Sequence, residues 1–500
     1  MSTEDRIRHV RPQLAGARLV ATALLFTGVM PAQPRTAPAL TALYREAFER
    51  REKEFGPEHP KTAESLSNLG LFLARSGNLA SAEPLLRRAL AIDEHAFGSR
   101  DARIATDLVN LGAILEARNN PQAAELLYVR ALRLKEQALG PESSEAAEIL
   151  VKLASVLEAE AKPEAAEPLY RRAIAIQEHA LGPESRDLFD TLSKAGALYE
   201  SLRDYQQAEG NYARALAIAE KVYGPEHPAT GAAKSRLGRV QCAGGNTGPA
   251  VESLLRGGLR IDESALGPDH PVTASAAGDL AGLLKARSDF AAAEPLYARA
   301  LSIQENAFGP NDAHVGAALN DLGALLAAKG DTARAEPLYR RAMAIYEKAL
   351  TPTHPDIALV ASNLAVLLSD SGDNAAAEPL LRRAAAIYEK SLGPFHPELA
   401  TTLTNLAAVE YTQHELQNAE ASGRRALAIW ERAAPGSPDA EPVLGILVTL
   451  RAARGDFAEA AHFARRQLRI VEKTRGANDP EAQELRKAVA GLETRAAAGR

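Results

Sequence analysis

The 500-residue sequence contains a single cysteine, Cys242, and few aromatic residues. One cysteine cannot form a disulfide within the chain, and it cannot build a thiolate metal cluster. Aromatic residues make up 5% of the chain, which leaves few large rings for stacking on a cofactor or a nucleic-acid base. The formal net charge of −6 argues against a nucleic-acid partner, because such binding needs a basic face that neutralises phosphates.

Catalytic motifs are also absent from the sequence. Neither Gly-x-Ser-x-Gly nor His-Glu-x-x-His occurs in it. The glycine-rich segment at 244–249 lacks the Gly-Lys-Ser/Thr of a phosphate-binding loop, and no predicted strand precedes it. We therefore expect no cofactor and no catalytic site, and the sequence indicates a protein that is not an enzyme.

One unit of about 42 residues recurs from near Phe55 to the C-terminus. Its clearest mark is a turn written Gly-Pro-x-His-Pro. Copies of this turn, one of them with Thr in place of Gly, begin at Gly56, Gly224, Gly267, Thr351 and Gly393. Self-similarity at such a period is typical of a solenoid, in which each unit buries its apolar face only against its neighbours.

Apolar residues at helical spacing follow each turn and predict two antiparallel helices per unit. In the first complete unit they predict helix A over about 60–75 and helix B over about 79–96. Aligning the later units gives ten such hairpins, preceded by a partial unit from Ala39 to Phe55. A last helix, from about 479 to 498, is polar enough to close the stack against solvent.

Two short patterns recur within the units. The first, Ala-Glu-Pro-Leu-Tyr-Arg-Arg-Ala, stands at 166–173 and 335–342. The second, Asn-Leu followed by Gly or Ala, stands at 68–70, 110–112, 363–365 and 405–407. With these patterns the sequence resembles the tetratricopeptide repeat family in its kinesin-light-chain-like variety. The resemblance implies an all-α, right-handed superhelical solenoid of about ten antiparallel helix pairs over 37–498, with a C-terminal capping helix.

The resemblance also implies a concave groove, lined largely by helix A, that binds peptides or partner proteins. In related proteins one polar position of helix A faces this groove and hydrogen-bonds the bound peptide. The matching positions, called the groove column below, are Asn68, Asn110, Lys152, Lys194, Arg236, Asp279, Asp321, Asn363 and Asn405. Because an amide offers donors and an acceptor, it can pair with an extended backbone of any sequence. We expect the partner to be a protein or an extended peptide.

Charge varies along the groove column. Three successive members, Lys152, Lys194 and Arg236, are basic, and the next two, Asp279 and Asp321, are acidic. The basic members predict that the groove holds an acidic segment of the partner at units three to five, because complementary charge steers association.

The basic members also have a second interpretation. Glu148 and Asp190 each lie four residues before a lysine of the column and can pair with it along the same helix. Glu116, Glu158 and Glu200 can line the same groove and offset its positive charge.

Five histidines share one position in the turn, a recurrence that could suggest a metal site. They are His59, His227, His270, His354 and His396. The same position in other units holds Asp101, Ser143, Ser185, Asp312, Asp439 and Asp479. Asp and Ser before a helix, with Pro at the first helical position, are N-cap signals. Since copies one unit apart would be spread along the stack, we interpret the column as helix caps and expect no bound metal.

Helix B carries Glu and Arg four residues apart in six units. The pairs are Glu83–Arg87, Glu167–Arg171, Glu252–Arg256, Glu336–Arg340, Glu378–Arg382 and Glu420–Arg424. This spacing makes ion pairs along one exposed helix face worth about 0.2–0.5 kcal/mol each. We interpret them as part of the scaffold.

Two further features of helix B concern its backbone. Proline recurs early in the helix, at Pro84 and at 168, 295, 337 and 379, where it either kinks the first turns or marks where the regular helix restarts. In the fifth unit Gly257 and Gly258 lie inside the helix and cost about 1 kcal/mol each relative to alanine. They predict a flexible point at 243–258.

Residues 1–36 form a leader that has two interpretations. Four arginines precede an apolar stretch from Leu19 to Met30 and the small residues 37–39, which is the layout of a secretory signal peptide. Alternatively, the leader is a decayed first repeat, because residues 25–28 lie one unit before residues 67–70. The apolar run is too short to span a bilayer stably. We expect an exported or periplasmic protein, with a cytoplasmic location as the alternative.

These observations indicate a non-enzymatic scaffold that holds protein partners along its groove. One alternative is a scaffold that associates with itself, because the end units of such stacks can dock. Another is a regulatory or sensor module that acts in trans on a separately encoded enzyme. Related bacterial chains often join such repeats to peptidase-like or nucleotide-binding domains, for which the sequence after the last hairpin has no room.

Overall fold

The structure of the protein is a computed structural model that describes residues 37–498, and the leader expected at 1–36 lies outside the described residues. The described part contains 22 α-helices and no β-strand. It begins with α1 (Ala37–Phe55) and ends with α22 (Pro480–Ala498). Between them lie ten pairs: α2 (Pro60–Arg75) with α3 (Leu79–Phe97), α4 (Ala105–Ala117) with α5 (Pro121–Leu139), α6 (Ser144–Ala159) with α7 (Pro163–Leu181), α8 (Arg186–Ser201) with α9 (Tyr205–Val222), α10 (Pro228–Ala243) with α11 (Pro249–Leu266), α12 (Pro271–Ala286) with α13 (Phe290–Phe308), α14 (Ala313–Ala328) with α15 (Thr332–Ala349), α16 (Pro355–Asp370) with α17 (Asn374–Ser391), α18 (Pro397–Thr412) with α19 (Leu416–Ala433), and α20 (Glu441–Ala453) with α21 (Phe457–Arg475).

The described residues form two compact units, residues 37–181 and residues 182–498, which are called the first unit and the second unit below. One helix pair is called a repeat. Helices α1 to α7 belong to the first unit and α8 to α22 to the second. In each pair the first helix, helix A, packs against the second, helix B, across a short turn. The predicted ten pairs, and the limits predicted for α2 and α3 to within one residue, are confirmed.

The turn before helix A sets where that helix begins. In the first pair Gly56 has a φ of +95°, which glycine adopts without steric cost. The Nδ1 atom of His59 accepts a hydrogen bond from the backbone N–H of Lys61 at 3.1 Å, and Pro60 takes the first helical position. The same hydrogen bond forms at His227, His270, His354 and His396. The histidine column is therefore a column of helix caps.

Aspartate and serine replace histidine as the helix cap in other repeats. The residues that accept such a bond are Asp101, Ser143, Ser185, Asp312 and Asp479. The assignment of Asp439 to this column is wrong. A 3₁₀ turn at Pro438–Ala440 precedes α20 and moves the cap to Ser437, whose Oγ accepts from the N–H of Asp439 at 3.2 Å.

The two helices of a pair approach closely where glycine on helix A faces a large side chain on helix B. A Cβ atom on Gly112 would lie 2.6 Å from the ring of Tyr128, and one on Gly196 would lie 2.7 Å from the ring of Tyr212. Both rings are at most 2% exposed. Since such contacts leave no room for a methyl group, these glycines fix the distance between the helices.

The predicted Glu–Arg pairs within helix B are all formed. They are Glu83–Arg87, Glu167–Arg171, Glu252–Arg256, Glu336–Arg340, Glu378–Arg382 and Glu420–Arg424. Every arginine of this set is more than 40% exposed, which limits each pair to a few tenths of a kcal/mol.

A second arginine of helix B, adjacent to the paired arginine where both occur, connects neighbouring repeats. The sequence analysis missed this role. In the first unit Arg172 of α7 reaches back to Glu136 of α5 at 2.7 Å and donates to the carbonyl of Pro141 at 2.7 Å. The other bridges between successive B helices are Arg88–Glu52, Arg130–Glu94, Arg299–Glu263, Arg341–Glu305, Arg383–Glu347, Arg425–Glu389 and Arg466–Glu431. The B helices of neighbouring repeats are thus connected by long side chains.

Helix B continues through its early proline. The helix α3 runs unbroken from Leu79 to Phe97 with Pro84 inside it, and α7, α13, α15 and α17 contain their prolines in the same way. Proline donates no hydrogen bond to the carbonyl four residues earlier, so each helix lacks that one bond. Of the two alternatives, a restart of the helix at the proline is wrong.

The helix α11 also continues through its two glycines, whose surroundings differ. A Cβ atom on Gly257 would meet only the aliphatic chain of Lys234, at 3.6 Å. A Cβ atom on Gly258 would lie 2.5 Å from Ser235 Oγ and 2.9 Å from the carbonyl oxygen of Gly231. Gly258 therefore allows α10 and α11 to approach, whereas Gly257 only adds backbone freedom.

Alanine at these two positions is expected to have opposite effects. Gly257→Ala should raise the free energy of unfolding by about 0.5–1 kcal/mol, because it restricts the unfolded chain and adds no clash. Gly258→Ala should lower it by about 1–3 kcal/mol through overpacking. Urea unfolding measures both changes, and equal stabilisation by the two alanines would contradict the close approach at Gly258. The flexible point at 243–258 stays a prediction, to be tested by hydrogen exchange in α11 against its flanking helices.

Candidate partner-binding face

Helix A forms the inner layer of the second unit. Between α10 and α20 the backbones of successive A helices approach one another, whereas successive B helices are joined through long Arg and Glu side chains. In a curved stack, the layer whose helices come closest lies on the inside. The groove column belongs to this layer. The side of the A helices that faces away from the B helices is called the inner face below. In the first unit, α2 and α4 approach in the same way.

The groove-column members of the first unit differ in exposure. Asn68 is exposed and Lys152 is half-buried. Asn110 is only 7% exposed, so its side chain has little surface left for a partner. A common sequence position does not give these three side chains a common environment.

The three glutamates that could offset the positive charge of the groove have partners on helix B. The hydroxyl groups of buried tyrosines donate to them, from Tyr128 to Glu116 at 3.0 Å, from Tyr170 to Glu158 at 2.5 Å and from Tyr212 to Glu200 at 3.0 Å. Burial of the rings and the neighbouring carboxylates raise the pKa of all three tyrosines. These hydroxyls therefore remain donors, and each glutamate stays fixed at the edge of the A layer.

The basic members of the column in the second unit are close to acidic groups. Lys194 is exposed and Arg236 is half-buried. Burial raises the pKa of the Asp190 carboxyl, while the nearby charges of Lys194 and Arg236 lower it. Asp190 therefore lies near both cations, as the second interpretation of the basic segment expected, and offsets part of their charge.

Arg239 is a further charged residue of this face, and the sequence analysis missed it. Its guanidinium group lies 3.0 Å from Glu200 and 3.7 Å from Asp279, so it joins α8, α10 and α12. A departure from the repeat could have revealed it. The equivalent positions carry small or apolar residues, namely Leu71, Ala113, Ser155, Ala197, Gly282, Ala324, Val366 and Ala408.

The two acidic members of the column, Asp279 and Asp321, border one cavity of about 450 Å³ between α10, α12, α13 and α14. Burial raises the pKa of Asp279 to about 7, partly opposed by Arg239. Asp321 is accessible to solvent, but the surrounding helices limit the water near its carboxylate, which raises its pKa to about 6 despite the nearby Lys285. Neither carboxylate is fully compensated by the cations around it.

Only one group of three acidic side chains in the described residues lies close enough to hold a cation. Its members are Glu378, Glu410 and Glu415, whose carboxylate oxygens lie within 4.8 Å of one another. Glu410 is 1% exposed and already accepts from Arg382 at 3.0 Å and Ser422 at 2.8 Å. These hydrogen bonds account for the group as part of the scaffold.

The last two members of the column have neighbours within the second unit. Asn363 donates to the side-chain oxygen of Asn320 at 2.9 Å. Asn405 borders a cavity of about 310 Å³ together with Arg203, which belongs to the turn between α8 and α9. A residue from far earlier in the sequence thus lies beside the end of the groove column.

Arg203 forms a contact between distant turns of the second unit. Its guanidinium group donates to Glu398 at 3.0 Å and to Asp439 at 3.2 Å, partners that lie 195 and 236 positions later. It also lies 5.7 Å from the ring of Trp430. Burial lowers the pKa of His396 to about 4, an effect that Glu398 opposes and Arg203 reinforces, so its ring stays neutral as a helix cap. We call this contact of Arg203 with α18, α19 and Asp439 the Arg203 clasp.

Within the described residues, no helix is long and apolar enough to cross a membrane. No curated protein matches the chain. Similar solved structures are a Podosopora anserina putative kinesin light chain with nearly identical TPR-like repeats and a substituted form of that chain, both 23% identical with a TM-score of 0.35. The match to the substituted form covers 41% of this chain and 97% of that one, and the other covers 42% and 99%. A third is BtubC (BKLC) from P. vanneervenii, 23% identical with a TM-score of 0.34, covering 48% of this chain and 91% of that chain.

The family model for the tetratricopeptide repeat matches the chain in overlapping segments. They are residues 41–95, 65–137, 103–179, 145–221, 187–257, 252–306, 274–348 and 356–432. Solenoids of this repeat generally mediate protein–protein interactions, and the family is generally non-catalytic. Because these matches cover more than half of the sequence and the helix pairs follow the same period, the chain belongs to the tetratricopeptide repeat family.

Proposed function

We propose that the protein is a non-enzymatic scaffold that binds an extended segment of a partner protein on the inner face of its A helices. The observation that supports it most is the cavity of about 450 Å³ between α10, α12 and α14, bordered by the charged column residues Asp279 and Asp321. Charged side chains on an open, concave surface fit a partner that supplies complementary charge and backbone hydrogen bonds.

The intact chain used as bait, followed by mass spectrometry, would identify the partner. Its affinity for the purified chain is then compared with that for the charge reversal Lys194→Glu with Arg236→Glu. If an acidic segment of the partner binds this part of the groove, the reversal is expected to weaken binding at least about tenfold, because attraction becomes repulsion. Adding Lys152→Glu extends the test to the third basic member.

A matched control reverses two basic residues outside the inner face. Lys348→Glu with Lys390→Glu changes the net charge equally, on exposed positions in the last turns of α15 and α17. The control should leave affinity within about twofold of the original chain. Unchanged affinity in both double variants would show that Lys194 and Arg236 do not contribute to binding the partner. A captured partner that still binds when the whole inner face is altered would contradict binding in the groove.

We also propose that the leader at 1–36 directs export. The supporting observation is the order of a basic, an apolar and a small-residue segment. N-terminal sequencing of the mature protein tests it, and an intact N-terminus on protein from the cytoplasm would contradict it.

A further inference from the structure

Two glycines of α12, Gly278 and Gly282, form part of the floor of the cavity between α10, α12 and α14. No atom lies within 4 Å of a Cβ built on Gly278, and the only neighbour of one built on Gly282 is the hydroxyl of Tyr297 at 3.5 Å. Adjacent repeats carry side chains at the positions of these glycines, including Arg239 and Asn320. The cavity is therefore deep at α12 because the repeat departs from its own pattern there.

Three hydrogen-bond acceptors around this cavity lack a close donor, although the cations Arg239 and Lys285 also border it. Asp279 shares Arg239 with Glu200, and the 3.7 Å separation of Arg239 from Asp279 is too long for a hydrogen bond. Asp321 accepts only a long contact of 3.5 Å from Asn320. Gln304, which is 7% exposed, also borders the cavity, and its side-chain oxygen has no partner among the described residues. Donors and positive charge from a ligand would complement these acceptors, because in the described residues neither Arg239 nor Lys285 forms a hydrogen bond with Asp279 or Asp321.

The geometry of the A layer limits how such a ligand is built. Asp279 and Asp321 occupy equivalent positions on the neighbouring A helices α12 and α14. The axes of packed helices lie about 8–10 Å apart, and a chain in the polyproline II conformation advances about 3.1 Å per residue with three residues per turn. Two side chains three residues apart on such a segment point to the same side and match the separation of the two carboxylates.

We propose that this cavity binds a segment of the partner protein with two basic residues about three positions apart, one beside Asp279 and the other beside Asp321. The inference deepens the proposed function and rests on it. The glycine floor gives the segment's backbone room to lie close to α12, and the amide oxygen of Gln304 accepts one of its N–H groups. The basic side chains of the segment bring positive charge to two carboxylates that the cations of the scaffold do not fully compensate.

Two labelled peptides test this inference on the intact chain. One is a twelve-residue Gly/Ser peptide with lysines at its fifth and eighth positions, and the other has glutamates at those positions. Fluorescence anisotropy at low salt and pH 8 gives their dissociation constants. The lysine peptide is expected to bind at least about tenfold more tightly than the glutamate peptide. The double variant Asp279→Asn with Asp321→Asn should weaken the binding of the lysine peptide at least about tenfold.

The matched control is Asp269→Asn with Asp370→Asn, which removes the same charge from exposed positions that do not line the cavity. It should leave the affinity for the lysine peptide within about twofold. Circular dichroism and thermal unfolding verify that both double variants fold.

Equal binding of the two peptides, or an equal effect of the two double variants, overturns the inference. If only the glutamate peptide binds, and Lys194→Glu with Arg236→Glu abolishes its binding, the inference fails while the proposed function stands. If neither peptide binds, the inference is overturned, and the scaffold function is judged separately by the partner captured with the whole chain.

Discussion

Arg203→Ala is expected to lower the free energy of unfolding of the second unit by about 2–3 kcal/mol. The side chain is 22% exposed and donates to both Glu398 and Asp439. Its removal leaves two carboxylates without their cation in a partly buried position. Because the partners lie 195 and 236 positions later in the sequence, the loss also separates parts of the unit that no neighbouring repeat holds together.

The backbone at this position allows the ion pair to be tested separately from strain. Arg203 has a φ of +58°, in the left-handed region, where other repeats carry glycine, for example Gly330. Arg203→Gly should therefore be less destabilising than Arg203→Ala by about 1 kcal/mol. Ser288→Gly, at the equivalent position with a φ of +60°, relieves the same strain without an ion pair and should stabilise the chain by about 1 kcal/mol.

Trp430 provides the measurement. It is the only tryptophan of the chain, it is 1% exposed, and its ring lies beside the Arg203 guanidinium group. Urea unfolding followed by its fluorescence gives the free energy, and its emission maximum in the folded state reports whether the Arg203 clasp has opened. If Arg203→Gly stabilises the chain as much as Ser288→Gly does, the clasp contributes nothing in solution.

Asp262→Asn is expected to stabilise the protein by up to about 3 kcal/mol above pH 6, the second large effect. Asp262 is 1% exposed, and its Oδ1 atom has no hydrogen-bond partner among the described residues. Burial alone raises its pKa from 3.8 to about 6. The contact is tight, because a Cβ atom on Gly231 would lie 2.8 Å from Asp262 Oδ1. An ionised carboxylate in such a place costs free energy that asparagine of the same shape avoids.

The direction of the pH dependence follows from the protonation of Asp262 in the folded protein and in the unfolded chain. Between about pH 4 and pH 6 the folded protein keeps the Asp262 proton, whereas the unfolded chain has lost it. The folded state thus binds more protons, and the contribution of Asp262 to stability falls as pH rises through this range. Above pH 6 both states are ionised, and the loss is complete. The asparagine variant should lack this part of the pH dependence.

Urea unfolding at pH 4.5 and pH 7.5 checks the result. The gain from Asp262→Asn should be large at pH 7.5 and small at pH 4.5. Asp269→Asn, an exposed position in the following turn, is the control and should change stability by less than about 0.5 kcal/mol at either pH. An equal gain at both pH values would show that the Asp262 carboxylate is not the cause.

The uncompensated Asp262 and the glycine pair Gly257–Gly258 lie in the same helix, α11. Asp262 and Gly257 weaken the repeat formed by α10 and α11, whereas Gly258 is needed for its close packing. The weakening supports the prediction of a flexible point at 243–258. Hydrogen exchange remains its test, since the continuity of α11 by itself gives no information on opening.

Much of the candidate site could be located from the sequence, but its chemistry could not. The groove column was identified from its resemblance to a family, and in the second unit its acidic members border a cavity. The column did not reveal that Asn110 is buried, that Asp190 lies near Arg236 as well as Lys194, or that Arg239 joins three helices. Each of these facts depends on which side chains neighbouring repeats bring together, and a pattern within one repeat does not contain that information.

The sequence by itself determined the period, the ten helix pairs, the helix caps and the ion pairs along helix B. These features depend on the allowed angles of glycine and proline and on groups at most four residues apart, so one repeat specifies them and the others confirm them. The cap assigned to Asp439 was wrong because a 3₁₀ turn shifted it by two residues.

Only the tertiary structure decided the bridges between successive B helices, the Arg203 clasp, the depth of the cavity at Gly278 and the burial of Asp262. Their partners lie from about thirty to more than two hundred residues apart in the sequence. Coulombic and packing energies depend on distance in space and on the water excluded between groups, and those distances exist only once the repeats have stacked.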